Sequence, residues 1–370
     1  MKPRRVYAEN VDPGALAQFE SALEQPFAVR GALMPDAHLG YALPIGAVVA
    51  TRGVVVPAWV GYDIGCGMCA LPTHFDAQAL RENARAIFED IYRVIPVGFA
   101  HNRTETPWPQ GEALERSPAL SAIFARNGLR QLGSLGSGNH FIEIGTDEGE
   151  RVWVVIHSGS RGVGHATATH YMKLAAGGER AREGHFGLAL VSAAGREYLM
   201  DQSFCLAFAL ENRLEMMRRV LAVLRRRIAV GGAHDDIDWD ALINRHHNSV
   251  EERDGMWIHR KGATHAEAGM MGVVPGNMRD GSFIVRGRGN PEALWSSAHG
   301  AGRMLGRNEA RRTLALAGFR TQMRGITARV EAKTLDESPG AYKDLEAVMA
   351  QQRELVEVVA RVRPILNVKG

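Results

Sequence analysis

The chain has 370 residues, 45% hydrophobic and 23% charged, ample material for a buried core. With 44 basic and 41 acidic residues the net charge is +3, which excludes a chain-wide basic surface, so an anionic partner must bind a local patch. Three cysteines, Cys66, Cys69 and Cys205, are too few for a disulfide scaffold and point to a reducing, cytoplasmic setting; Met1 to Val6 lacks the apolar run of a signal peptide behind it, and no run of about 18 apolar residues marks a membrane span.

In chain order, Asp12-Pro13 reads as N-cap and first helical position, with an amphipathic helix to about Leu23. A strand over 29–33 delivers the loop Met34-Pro35-Asp36-Ala37-His38-Leu39-Gly40. Residues 45–51 and 54–56 read as a hairpin around Arg52-Gly53. Next comes Gly61-Tyr62-Asp63-Ile64-Gly65-Cys66-Gly67-Met68. It sets a carboxylate and a thiol three residues apart, with glycines bracketing the cysteine, so both can reach one metal and the sulfur can bridge two. Taken alone, such a stretch is more often a glycine-rich turn with a buried cysteine. What shifts the balance is that histidines recur beside glycines in similar loops further on.

Helices are predicted over 76–92 and 117–132, separated by a Pro-rich loop over 96–110. A glycine loop from Leu132 then runs into a strand, with Asn139, His140 and Glu143 at the junction; a turn over 146–149 leads to a second strand, 151–156, ending in His157-Ser158-Gly159-Ser160-Arg161-Gly162. Two hairpin partners each carrying a histidine at a glycine-rich end favour metal or phosphate binding. Helices are predicted over 165–176 and from 192 to about Ala229. The second holds Arg213, Arg218, Arg219, Arg225, Arg226 and Arg227, which read mostly as a solvated face, with a polyanion groove as the sharper alternative.

A short helix is predicted over 238–245, ending at His246-His247-Asn248. A hairpin over 250–261 turns on Asp254-Gly255 in type I′ geometry. Strands follow at 272–275 and 282–286, and then Ser296-Ser297-Ala298-His299-Gly300-Ala301-Gly302-Arg303. The remaining third reads as mostly helical, through 341–363. No internal repeat or linker divides the chain, which reads as one domain over 1–370. A phosphate-cradling Gly-x-x-x-x-Gly-Lys-Ser/Thr loop is excluded because no lysine follows a glycine; no Lys-x-Asp-Gly exists; and Cys66-x-x-Cys69 has no second cysteine pair to complete a zinc site.

The chain resembles the RtcB family of GTP-dependent RNA ligases over nearly its full length. The carriers are MPDAHLG at 34–40, VGYDIGCGM at 60–68, LGSGNHFIE at 135–143, VIHSGSRG at 155–162, HHN at 246–248, RKGAT at 260–264, FIVRGRGN at 283–290, SAHGAGR at 297–303, and GAYKD with VKG near the C-terminus. Each is weak alone; their number and order are specific. The resemblance implies a single α+β domain of the family's own type, with central sheets, surrounding helices and glycine-rich active-site loops. It implies joining of RNA 2′,3′-cyclic phosphate or 3′-phosphate ends to 5′-hydroxyl ends, with two manganese ions and a GTP-derived guanylate carried on histidine.

Carried over motif by motif, the resemblance implies Asp63, Cys66, His140, His157 and His247 as metal ligands and His299 as the guanylate-accepting nucleophile. It implies Asn139, Glu143, Ser282, Gly300, Gly302, Arg303, Tyr342 and Lys369 as guanylate contacts, with Arg161 and Arg303 on phosphates and Cys69 structural. Asn277 stands where the family motif has Ser, and the chain is short for the family. A metal-dependent phosphoesterase or nuclease without guanylylation, and a non-catalytic RNA-binding relative, remain as other classes. Neither the natural RNA nor an activating protein partner follows from these residues.

Overall fold

The helices start where the sequence supplies caps. Asp12, Asp76, Ser117 and Ser192 each accept a hydrogen bond from a backbone N–H three residues on, of Ala15, Ala79, Leu120 and Gly195. The computed structural model describes residues 2–178, 180–228 and 237–370. Its principal elements are β1 (Arg4–Val6), α1 (Pro13–Glu24), β2 (Ala28–His38), β3 (Ile45–Thr51), β4 (Gly67–Pro72), α2 (Ala77–Val94), α3 (Pro118–Gln131), β5 (Phe141–Thr146), β6 (Val152–Ser158), α4 (Arg161–Ala175) and α5 (Ala193–Arg227). There follow β7 (Ile243–His246), β8 (Asn248–Arg253), β9 (Met256–Lys261), β10 (Ala263–His265), β11 (Met271–Pro275), β12 (Ser282–Gly287), β13 (Ser296–Ala298) and β14 (Val356–Lys369).

The architecture is α+β, built on two larger sheets. A five-stranded sheet runs β1-β2-β3-β9-β8, and an eight-stranded one runs β11-β12-β14-β5-β6-β4-β7, with Thr327–Ala328 pairing beside β14. The chain crosses between these sheets at two places that matter. Residues 52–66 lead from the first sheet into β4, and His247 alone separates β7 of the second sheet from β8 of the first. β10 and β13 form a small ladder that presents His299 directly after it.

Helix α5 is 35 residues long, on the order of 50 Å at 1.5 Å per residue. It packs Phe204 and Phe208 into the core with Trp59 and Tyr171, and Met216, Val220 and Leu224 into the core under β5 and β6. One helix thus backs both halves of the molecule. The predicted helix end at Ala229 lies outside the described residues.

Several predicted elements differ. Residues 34–38 continue β2 rather than leaving it as a loop, with a register shift between Leu33 and His38. β3 pairs with β2 and β9, and Val54–Val55 pairs with Leu188–Ala189, so the hairpin around Arg52-Gly53 does not form. Only Trp239–Ala241 is helical, as one 3-10 turn; Ile243–His246 is a strand because it completes the ladder against β4 and buries Ile243. The last 14 residues of the C-terminal third before Gly370 form β14, not a helix. Its Val356, Val358, Val362 and Val368 are β-branched, and it lies between β12 and β5, where extended backbone finds partners on both sides. The type I′ turn is present, with positive φ at both Asp254 and Gly255.

Candidate metal centre and nucleotide cavity

Asp63, Cys66, His140, His157 and His247 come together where the two sheets meet. Two groups can each hold a cation, Asp63–Cys66–His140 and Cys66–His157–His247, and Cys66 belongs to both. Its Sγ lies 3.3 Å from Nε2 of His140 and 3.3 Å from Nε2 of His157. His157 Nε2 is 3.0 Å from His247 Nε2, and His140 Nε2 is 3.1 Å from Asp63 Oδ2.

The far side of each ring decides what these atoms are. His157 Nδ1 donates to the Asn139 carbonyl at 3.2 Å and His247 Nδ1 to Asn248 Oδ1 at 3.3 Å, while His140 Nδ1 lies between the Leu135 carbonyl at 2.9 Å and the donating Arg161 Nη1 at 3.1 Å. With their protons on Nδ1, His157 and His247 turn the Nε2 lone pairs inward, and the His140 Nε2 faces the Asp63 carboxylate. Burial holds all three imidazoles below the ordinary histidine range, so they stay neutral. His157 and His247 therefore face each other acceptor to acceptor, the Cys66 thiol, pushed up by burial and by Asp63, has one proton between two imidazoles, and Asp63 Oδ1 is buried with no partner among the described residues. A cation bound to each group removes this conflict. The imidazole and carboxylate donors fit a divalent transition ion, and a thiolate can bridge two.

The surrounding chain is shaped to this cluster. A Cβ on Gly159 would stand 2.2 Å from Asp63 Oδ1, so that carboxylate needs glycine beside it. Asn248 ties three pieces together: besides His247 it accepts from the Gly262 N–H and donates to the Asp63 carbonyl. From behind, Arg213 on α5 is fully buried and donates to the carbonyls of Gly65 and Ser158 and to Asn244 Oδ1. Asn212 accepts from the Gly133 and Ser134 N–H groups and donates to the carbonyls of Ser134 and Gly159 and to Ser158 Oγ. Arg218, Arg219, Arg226 and Arg227 instead pair with Glu211, Glu215 and Asp90. Arg213 thus departs from the solvated face expected for this helix. Cys69 lies on β4 in the apolar core with Leu71 and Ile142, where burial pushes its thiol up to about 12.

His299 sits beside the cluster, its ring 4.6 Å from that of His247. Its Nδ1 donates to Asp36 Oδ2 at 2.6 Å, and the same oxygen accepts from the backbone N–H groups of His299 and Gly300. Asp36 is wholly buried. It fixes the ring with Nε2 as the free nitrogen, the arrangement a histidine nucleophile needs. Gly302 has φ +74°, and a Cβ there would stand 2.2 Å from the Asp36 carbonyl oxygen, so the turn after His299 closes against β2 only with glycine.

A cavity opens next to His299, lined by Asn139, Glu143, Arg303, Tyr342 and Lys369, with Gly300 and Gly302 in its wall. Glu143 and Asn367 face each other across the β5–β14 register, and Glu143 accepts from Ser282 Oγ at 3.1 Å. Burial raises the Glu143 carboxyl to about 8, against the partial relief given by Ser282 and Asn367. Glu337 anchors the opposite wall, 2.6 Å from Lys369 Nζ, and accepts from Tyr342 Oη, Arg307 and Arg303. Burial would raise Glu337, but Lys369 and Arg307 hold it at about 2. Arg303 also bonds the carbonyls of Leu305 and Asp336, so its guanidinium is largely engaged in the wall. Asn277 closes a turn with Asp280 at the rim. Arg161 belongs to the opposite side of the cluster, near His140.

A family model described as "tRNA-splicing ligase RtcB" matches residues 18–116 and 110–370. The chain belongs to the RtcB family. It is 36% identical to the RNA-splicing ligase RtcB of Escherichia coli (strain K12), with 97% of this chain and 95% of that protein aligned. It is 32% identical to the RNA-splicing ligase RtcB of Mycobacterium tuberculosis (91% and 96%) and 29% identical to the tRNA-splicing ligase RtcB of Thermococcus kodakarensis (100% and 95%). Within this RtcB chain, Asp36, Asn212, Arg213, Asn248, Arg307, Glu337 and Asn367 are among the residues around the site to which the sequence reading gave no role there. Asp36 carried a signal, since it lies with His38 in a motif of the kind that supplied the others. Glu337 and Asn212 carried none, because their partners are far away in the chain.

Proposed function

We propose that this protein is a GTP-dependent RNA ligase, joining an RNA 2′,3′-cyclic phosphate or 3′-phosphate end to a 5′-hydroxyl end. The observation that carries the proposal is the free Nε2 of His299, fixed by buried Asp36 next to two cation-holding groups that share Cys66. A binder or a simple phosphoesterase has no use for a fourth, separately anchored histidine at that position. The site draws its residues from positions as far apart as Asp36 and Lys369, which favours reading 1–370 as one catalytic unit.

Asp63, Cys66 and His140 would hold one manganese ion, and Cys66, His157 and His247 the other; the pair would neutralise charge that builds on phosphate oxygens. His299 Nε2 attacks the α-phosphorus of GTP, the N–P bond forms, and pyrophosphate leaves. Asp36 keeps the Nδ1 proton and balances the positive ring that results. Where the end is a 2′,3′-cyclic phosphate, water first adds to its phosphorus and the P–O2′ bond breaks, the 2′-oxygen taking a proton; an oxygen of the resulting 3′-phosphate then takes the guanylate, and His299 regains its lone pair. The 5′-hydroxyl of the second strand displaces GMP from the activated end. Glu143, Ser282, Asn139, Tyr342 and Lys369 would hold the guanylate in the cavity.

Incubation with labelled GTP and manganese, followed by mapping of the labelled peptide, tests the reading. An acid-labile GMP adduct on His299 is expected. Strand cleavage or phosphate release without any adduct would instead establish the phosphoesterase class.

A further inference from the structure

Between Leu33 and His38 the strand β2 leaves its register. Leu33 stands opposite Ala47 and His38 opposite Ile45, so residues 34–37 have Gly46 alone across from them on β3. A ladder that passes over this stretch leaves its backbone carbonyls in need of other donors. Side chains supply them. His38 Nδ1 donates to the Asp36 carbonyl at 2.9 Å. Lys343 Nζ donates to the carbonyls of Pro35 at 3.2 Å and Ala37 at 2.6 Å, one on each side of Asp36. The backbone N–H of Lys343 donates to the Gly302 carbonyl at 3.0 Å. Lys343 therefore grips both the bulge that carries Asp36 and the turn that follows His299. Glycine lets β3 approach the bulge: a Cβ on Gly46 would stand 2.9 Å from Ala37 Cα and 3.0 Å from Asp36 Oδ1.

The charges point the same way. Asp36 is wholly buried, and its Oδ1 has no hydrogen-bond partner among the described residues. Burial lowers the Lys343 ammonium from the ordinary lysine value, and among the charges that oppose this the Asp36 carboxylate is the largest. An ammonium is a compact charge with three donors, suited to two carbonyls with a carboxylate close by. We propose that Lys343 is a positioning residue for His299: it holds Asp36 in place and balances its charge, so that the ring stays bonded through Nδ1 and keeps Nε2 free. The reaction this serves rests on the ligase reading above, whereas the hydrogen bond it sets belongs to the protein alone. Lys343 is not among the described residues that line the nucleotide cavity, so it acts through Asp36 and not on the nucleotide.

The Asp36–His299 bond is short, 2.6 Å, and ends on a wholly buried carboxylate, so its proton should resonate far downfield of the amides. Asp36→Asn assigns the signal by removing it. Lys343→Met is expected to move this resonance upfield or erase it, and Lys343→Arg, which keeps charge and donors, to restore it. With labelled GTP and manganese, Lys343→Met should slow formation of the GMP adduct about tenfold or more while the KM for GTP changes less than about twofold. Lys343→Arg should recover most of that rate, and bound metal should match the parent's in both variants. Lys343→Gln, which keeps a neutral donor, replaces Lys343→Met if that variant does not fold, and the same two losses are expected of it. An unmoved resonance, a rise in KM that accounts for the lost rate, or failure of Lys343→Arg to restore either readout overturns the assignment. If the resonance moves in Lys343→Met while the parent forms no GMP adduct, the positioning role stands and the ligase reading falls.

Discussion

Cys66 Sγ is the atom that the two cation-holding groups share, so its loss removes a ligand from both at once. Cys66→Ala is expected to lose both ions, and Cys69→Ala to keep them, because Cys69 only packs in the core. Metal analysis of the purified variants checks this, and equal loss from Cys69→Ala would redirect attention to the Cys-x-x-Cys pair. On the proposed reading Asp36 would act through His299 rather than on substrate, as a positioning residue. Asp36→Asn is expected to cut formation of the labelled GMP adduct about a hundredfold or more, with bound metal unchanged. Metal loss in that variant would show that Asp36 serves the fold of the centre instead. Glu143 gives a pH signature. Its folded pKa, about 8, lies above the ordinary glutamate value, so the fold binds a proton there that the unfolded chain has released. The stability this contributes is fully present below about pH 4.5 and is lost as pH rises through 8. Glu143→Gln should therefore gain in Tm relative to the parent between pH 6 and 9, as measured by thermal melts; a constant difference would mean that Glu143 is already ionised in the fold.

At the scale of elements, α5 is both scaffold and back wall. Arg213 and Asn212 connect three loops around the candidate centre that are far apart in sequence, those at 65, 133–134 and 158–159. Arg213→Met keeps the bulk but leaves two buried carbonyls without these donors. It is expected to cost about 2 kcal/mol, since loss of the buried charge offsets part of the lost hydrogen bonds. A denaturant midpoint series checks the cost, and an unchanged midpoint would make Arg213 dispensable. These elements also mark how far the sequence could be read. The loops holding Asp63, Cys66, His140, His157 and His299 stood out because glycine, histidine and cysteine concentrate there, and such clustering is a local property. β14 did not. Its valines alternate with Glu357, Arg361 and Arg363 at a strand's period of two, a signal that a helical reading of 341–363 passes over, and pairing with residues 141–146 and 282–287 far upstream fixes it. Glu337 and Arg213 were hidden by distance: an ordinary acidic or basic residue becomes part of a site only through distant partners.

At the scale of the molecule, the centre lies on the seam between two sheets, and the chain changes sheets at His247 within one residue. Asn248 already belongs to β8, opposite Lys261, while His246 still belongs to β7, opposite Gly67. That crossing has no slack in length. One extra residue there must either push the imidazole off Cys66 or slide β8 along β9, which would turn Val250 from the core towards solvent. A glycine inserted between His246 and His247 should therefore abolish metal binding or folding. The same insertion between Asp254 and Gly255, in the exposed turn of the β8–β9 hairpin, should leave bound metal in place. Metal content and melting temperature of the two insertion variants decide it, and equal tolerance at both places would show that the seam can yield. The expectation sets a rule for this architecture: chain length can drift in its outer turns, whereas the spacing across the seam is fixed by the centre it carries.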